Sequence, residues 1–302
     1  MTYDGEKIVR AGIRNFNFKT FTWNLIDVCN QRCAYCNEGF GSDQFRPKSS
    51  FFKNQSQIDS YKTVLKILKL KSIGPFEVDI IGGEPTLHPH IYEIIEEVNS
   101  IENCKEISLL TNFKKPFSFY EKFDNELYNK LLICPSIHFD YYTQELLEKC
   151  VSASKFKHIK IIPIIMLHDN MSHWDNMEKF ITALIKNNID YNISFLNSCY
   201  DYVVNYSDEF YSRFTKYFVY DDNEYLFNDK LLLTKYDIHS SSLNTFGDWS
   251  CKPLRYIVKH TGEILNACTK SRMSFLDEQP FVKCPHNECN CNVQWNYEKY
   301  AE

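Results

Sequence analysis

Six apolar, β-rich runs recur along the first two hundred residues, at 19–28, 76–81, 105–110, 135–140, 158–167 and 190–196. Helical patterns fall between them: Tyr61, Val64, Leu65 and Leu68; Ile91, Ile94, Ile95, Val98 and Ile101 over 90–101; and Trp174, Met177, Phe180, Ile181, Leu184 and Ile185 over 174–185. Alternating strands and helices imply parallel strands joined by right-handed crossovers. After the second strand the interval is roughly 25–32 residues, the size of a βα unit. Six units are too few to close an eight-stranded barrel. The expected fold is therefore α/β, a partial (β/α)6 barrel of parallel strands over 15–200, with its chemistry at the C-terminal strand ends.

Two motifs sit at such ends. The first strand runs into Cys29-Asn-Gln-Arg-Cys33-Ala-Tyr-Cys36. Three thiolates in eight residues can hold three corners of a cubane cluster and leave the fourth iron open, whereas electron-transfer clusters usually have four cysteines. A zinc knuckle is the competing reading, but zinc takes four ligands and no histidine follows before His88. The second strand runs into Gly82-Gly83-Glu84-Pro85. Two glycines would let a ligand approach the backbone, and the carboxylate can accept hydrogen bonds from an ammonium group.

Together these motifs resemble the radical S-adenosylmethionine (SAM) superfamily, whose signatures are C-x3-C-x-aromatic-C and Gly-Gly-Glu-Pro; the resemblance covers about residues 19–197. It implies that Cys29, Cys33 and Cys36 bind a [4Fe–4S] cluster whose open iron chelates SAM, and that Tyr35 lies near the adenine. It also implies that Gly82, Gly83 and Glu84 face the methionine amino group, with Asn112 a further SAM contact. Ser136, His138 and Asp140 close the fourth run, so some of them should reach the cavity, and Ser136 joins the expected cofactor contacts. The implied chemistry is reductive cleavage of SAM, giving a 5′-deoxyadenosyl radical that abstracts a hydrogen atom from substrate. A flavodoxin or ferredoxin would donate the electron.

Residues 201–247 break the rhythm, and the stretch between Ser198 and Ser250 holds eight tyrosines and nine acidic against four basic residues. This connecting segment reads as a helix near 207–218 followed by irregular structure. From 248 to 302 the chain reads as a small unit with a β-hairpin around His260-Thr261-Gly262. Cys251, Cys268, Cys284, Cys289 and Cys291 gather there, more sulfur than packing accounts for. They resemble the auxiliary-cluster extension called a twitch domain, a shortened SPASM domain, which implies a second [4Fe–4S] cluster on four of the five. Structural zinc with His286 nearby is the alternative. Cys104, Cys134, Cys150 and Cys199 read as isolated thiols, and His168, Asp169, His173 and Asp175 as a polar loop leading into a helix that starts at Ser172.

The chain has 302 residues, a net charge of −5 and an estimated pI near 6.0. That acidic balance argues against a nucleic-acid partner. No apolar run approaches the roughly 18 residues of a membrane helix, and the N-terminal stretch lacks a signal-peptide core, so a cytoplasmic location is expected. The expected function is hydrogen abstraction from a small sugar- or aminocyclitol-like molecule or from a peptide, leading to oxidation or epimerisation. The alternatives are a viperin-like enzyme acting on a nucleotide and a non-enzymatic zinc or iron–sulfur protein.

Overall fold

The computed structural model describes residues 2–3, 6–8, 10–11, 19–36, 55–70, 74–196, 203–218, 225–227, 231–233, 245–251, 255–266, 272, 282–284 and 299–301. The chain divides into two compact units, Phe21–Phe214 with Val258–Glu263, and Met1–Thr20 with Thr215–Ile257 and Ile264–Glu302.

The first unit is built on six strands: β1 (Lys19–Ile26), β2 (Phe76–Gly82), β3 (Cys104–Thr111), β4 (Leu131–Ile137), β5 (Ile164–Leu167) and β6 (Asn192–Phe195). They lie in the order β6-β5-β4-β3-β2-β1, and the pairs from β2 to β6 are parallel. Helices α1 (Tyr61–Leu68), α2 (Ile91–Asn99), α3 (Gln144–Ala153) and α4 (Trp174–Lys186) occupy the crossovers. The sheet does not close, in agreement with the partial barrel expected from the alternation. Phe76, Val78 and Ile80 of β2 are buried at every second position, β1 is buried at all but Lys19 and Asn24, and Ile91, Ile94, Ile95 and Val98 of α2 form a buried stripe. That alternation meeting a 3.6-residue stripe is the packing of a helix on a sheet face.

Two strands differ from expectation. The fourth begins four residues earlier, at Leu131, and ends at Ile137; Phe139–Tyr141 form a 3-10 turn instead. Pro135, the first residue of the run read from the sequence, pairs with Thr111 inside the sheet. The fifth run splits at Pro163 into Lys160–Ile161 and β5, because proline has no N–H for the ladder. Both pieces keep one register on β4, with Lys160 opposite Leu132 and Ile164 opposite Ser136. Helix α3 went unread, although Thr143 caps it by accepting from the Leu146 amide at 3.3 Å. Before α4, a 3-10 turn over Met171–His173 is capped by Asn170, so the helix itself starts at Trp174 rather than Ser172.

The second unit holds an antiparallel sheet in the order Leu231–Leu233, Tyr225–Phe227, Arg10–Ala11, Lys299–Tyr300, Ser250–Cys251, Val282–Lys283. Strands from both ends of the chain meet here, and the segment read as irregular supplies two of them. A helix α5 (Asp208–Phe218) precedes those strands, close to the expected 207–218. The hairpin is present as Arg255–Val258 and Ile264–Asn266, with Gly262 at φ +81° in its turn. Among the described residues no helix is long and apolar enough to cross a membrane.

Candidate active site

The loop after β1 is folded tightly on itself. The Cys36 amide donates to the Cys33 carbonyl at 3.2 Å, and the Gln31 amide donates to Cys29 Sγ at 3.4 Å. The Arg32 amide donates to the Tyr141 hydroxyl at 2.7 Å, tying the loop to the turn after β4. Cys29, Cys33 and Cys36 are thereby half-buried on the wall of one cavity of about 300 Å³. Burial pushes the Cys33 thiol up to about 12 and raises that of Cys29. Thiolates in such a place need a cation to neutralise them, which a metal centre supplies. Three sulfurs on one wall, with no fourth cysteine among the residues lining the cavity, fit a cluster that keeps one iron open.

The glycine pair also serves the packing of the two strand ends. A Cβ on Gly83 would lie 2.2 Å from the Val28 carbonyl oxygen and 2.9 Å from the Cys29 nitrogen. One on Gly82, whose φ is +146°, would lie 2.4 Å from the Ile26 carbonyl oxygen. The glycines therefore let the end of β2 close onto β1, where the Gly83 and Glu84 amides donate to the Ile26 and Val28 carbonyls at 2.8 Å each. This closure sets the position of Cys29.

Glu84 is 1% exposed. Its Oε1 accepts from the Thr86 amide at 3.1 Å, the Thr86 hydroxyl at 2.5 Å and the Thr111 hydroxyl at 2.7 Å. Its Oε2 accepts from the Asn112 amide at 2.7 Å. The carboxylate thus ties the ends of β2 and β3 together while lining the cavity. Asn112 in turn donates through Nδ2 to Asn30 Oδ1 at 2.6 Å, joining β3 to the cysteine loop.

Tyr35 is buried against His138, with ring centres 5.7 Å apart and the hydroxyl 3.1 Å from Nδ1. Burial lowers the imidazole of His138 to about 4, so it is neutral near pH 7. Gly82, Gly83, Glu84, Asn112, Tyr35 and Ser136 all line the same cavity as the three cysteines, together with His138; Asp140 does not. Gln31, Thr111, Met166, Ser194, Phe195 and Leu196 line it too and were not singled out in the sequence. The available signal was alternation: Met166 and Ser194 occupy inward positions at the ends of β5 and β6.

Among the C-terminal cysteines, Cys251 and Cys284 belong to the antiparallel sheet, and Cys268, Cys289 and Cys291 lie outside the described residues, as does Cys199. Cys251 pairs with Val282. One step further, the Asp248 amide donates to the Cys284 carbonyl at 3.3 Å and the Cys284 amide to the Trp249 carbonyl at 2.9 Å. Asp248, at φ +63°, is the extra residue of a β-bulge opposite Cys284. This register puts Cys251 and Cys284 on one sheet face as diagonal neighbours, a spacing of about 7–8 Å. Cys104, Cys134 and Cys150 are buried, as isolated thiols should be.

Residues 23–151, the segment that carries both motifs, match the family model described as the Radical SAM superfamily. The GTP 3′,8-cyclase of Thermodesulfovibrio yellowstonii is 33% identical over 116 residues, 38% of this chain and 33% of that protein. The GTP 3′,8-cyclase of Clostridium perfringens is 34% identical over 90 residues, 30% of this chain and 25% of that protein. The matched region thus spans a quarter to a third of the length of these relatives. In fold, the chain is similar to anSMEcpe with bound AdoMet (TM-score 0.54, 16% identity, covering 86% of this chain and 78% of that one). It is likewise similar to Streptococcus suis SuiB bound to S-adenosylmethionine (TM-score 0.53, 15% identity, covering 86% of this chain and 64% of that one).

Proposed function

We propose that this chain is a radical SAM enzyme that abstracts a hydrogen atom from a small neutral or cationic molecule of the sugar or aminocyclitol kind, or from a peptide, in an oxidation or epimerisation. The observation that carries the reading is the convergence of Cys29, Cys33 and Cys36 with the Gly82-Gly83-Glu84 turn on one cavity. In this reading the three thiolates hold a [4Fe–4S] cluster, and Gly82, Gly83 and Glu84 receive the methionine amino group. Tyr35, Asn112 and Ser136 border the rest of SAM. When bound, the cluster supplies the electron that cleaves SAM. The chain positions the cofactor and substrate and shields the radical from competing donors.

Charge favours this substrate class over a nucleoside triphosphate. Among the described residues the cavity lining contains no Lys or Arg. Ile81 and Leu110 face the cavity, so Asp79 and Glu77 on β2 and Glu106 on β3 share that inward face. Burial raises the carboxyl groups of Glu77 and Glu106, and each is raised further by the neighbouring acids. A polyanion would find no cationic side chain in the cavity lining, which an amine or hydroxyl group does not need.

The reading includes a second [4Fe–4S] cluster on four of Cys251, Cys268, Cys284, Cys289 and Cys291. It is supported by the shared sheet face of Cys251 and Cys284, and the cluster would take the electron from a substrate radical in an oxidation. The test is 5′-deoxyadenosine formation from SAM under anaerobic dithionite. Wild type should form it and Cys33→Ala should not; equal rates in both would sink the reading. Faster formation with an aminocyclitol than with GTP supports the substrate class, and the reverse order overturns it.

A further inference from the structure

We propose that Asp140, His168 and His173 form a site for one first-row divalent cation of the manganese, iron or zinc type, beside the cysteine cavity, where the His168 ring packs on Tyr35 at 5.4 Å. Asp140 lies in the 3-10 turn after β4, His168 directly follows β5, and His173 ends the turn before α4. Asp140 Oδ1 is 3.1 Å from His173 Nε2 and 3.5 Å from His168 Nε2. One ligand atom from each residue falls within 4.8 Å of the other two. An ion with bonds of about 2.0–2.2 Å separates its ligands by about 3.0 Å in an octahedron and about 3.4 Å in a tetrahedron. Both measured separations are close to those values, and the two imidazole ligand atoms lie within 4.8 Å of each other.

The donor set suits such an ion. Two imidazoles and one carboxylate on one side of a metal, with the remaining positions open, form the arrangement typical of iron, manganese and zinc sites. Two neutral imidazoles and a carboxylate leave one negative charge to meet a divalent cation. The His168 side chain is 5% exposed, that of His173 20% and that of Asp140 33%, so the floor is dry and one side is open to water.

The ligands are held by further bonds. Trp174 Nε1 donates to the His168 carbonyl at 3.1 Å, and the His173 amide donates to the Asn170 carbonyl at 3.1 Å. His168 Nδ1 has two neighbours, the Asn170 amide at 3.1 Å and Asp169 Oδ1 at 3.4 Å. Without metal, Nδ1 accepts from Asn170 and Nε2–H points at Asp140. Metal on Nε2 requires the proton on Nδ1, so the Asn170 amide must turn away and Nδ1–H donates to Asp169, a carboxylate orienting a metal-bound histidine. Asp169 is itself fixed by the Asn205 amide, which donates to Oδ2 at 3.0 Å.

The test uses the full-length protein with its iron–sulfur content reconstituted, so that thiolates do not compete. Mn²⁺ is the probe because it avoids sulfur ligands, and its binding is read from loss of the free-ion six-line EPR signal. Wild type should take up one Mn²⁺ saturably, and Asp140→Asn and His173→Ala should each weaken binding at least tenfold. Iron content and circular dichroism should stay unchanged in both variants. Absence of saturable uptake by wild type, or uptake unchanged in either variant, would overturn the proposal. Both positions are partly exposed, so neither variant should unfold the chain. The outcome is independent of SAM cleavage, which the same samples report separately.

Discussion

The two cysteine groups are held in opposite ways. Cys29, Cys33 and Cys36 sit on one short loop, fixed by a turn, an amide-to-sulfur bond and the closure of Gly82-Gly83 onto β1. Cys251 and Cys284 are thirty-three positions apart, and the register of an antiparallel sheet, adjusted by the bulge at Asp248, brings them to one face. The first arrangement is local and depends on contacts between strand ends. The second depends on topology. A change at the β1–β2 junction should therefore unseat the first group, and a change in sheet register should unseat the second.

Glu84→Ala should have the largest effect on stability. It leaves the Thr86 and Asn112 amides and the Thr111 hydroxyl without their buried acceptor, which should cost about 3 kcal/mol or more. Urea unfolding would measure it, and iron should be lost from the first group in parallel. Gly83→Ala comes next, at about 2–3 kcal/mol, because its Cβ collides with backbone that has no room to move. Gly74→Ala is the control: its φ is +74° but nothing lies within 4 Å, so only the left-handed conformation, about 1–2 kcal/mol, opposes it. If the two glycine variants unfold alike, the closure does not position Cys29 as described.

The smallest effect concerns pH. Burial holds His88 near 4, below its ordinary value of 6.5. Between those values the unfolded chain takes up a proton that the folded chain does not, so stability falls as pH drops from about 6.5 towards 4. The slope from this residue is at most about 1.4 kcal/mol per pH unit. His88→Asn should flatten the acid limb of a stability–pH curve, and an unchanged limb would show that His88 does not contribute.

The partial barrel and the cavity-lining motifs were legible in the sequence because each signal is local. Apolar alternation fixes strands, and contiguous cysteines and glycines fix loops. The strand limits near Pro135 and Pro163 were less legible, since a proline's tolerance within a sheet depends on pairing that a single strand does not record. The glycine pair was recognised for its position, but its physical reason, contact with Ile26 and Val28, involves residues more than fifty positions away. The same limit applies to Asp140, which the fold brings to His168 and His173 across helix α3 and strand β5.

Iron and acid-labile sulfide, counted after anaerobic reconstitution of wild type and of a Cys29/Cys33/Cys36→Ala variant with SAM binding measured alongside, test the central claim most directly. The account predicts about eight irons in wild type and about four in the variant, with SAM binding lost. Equal iron in both proteins, or SAM bound equally by the variant, would contradict it.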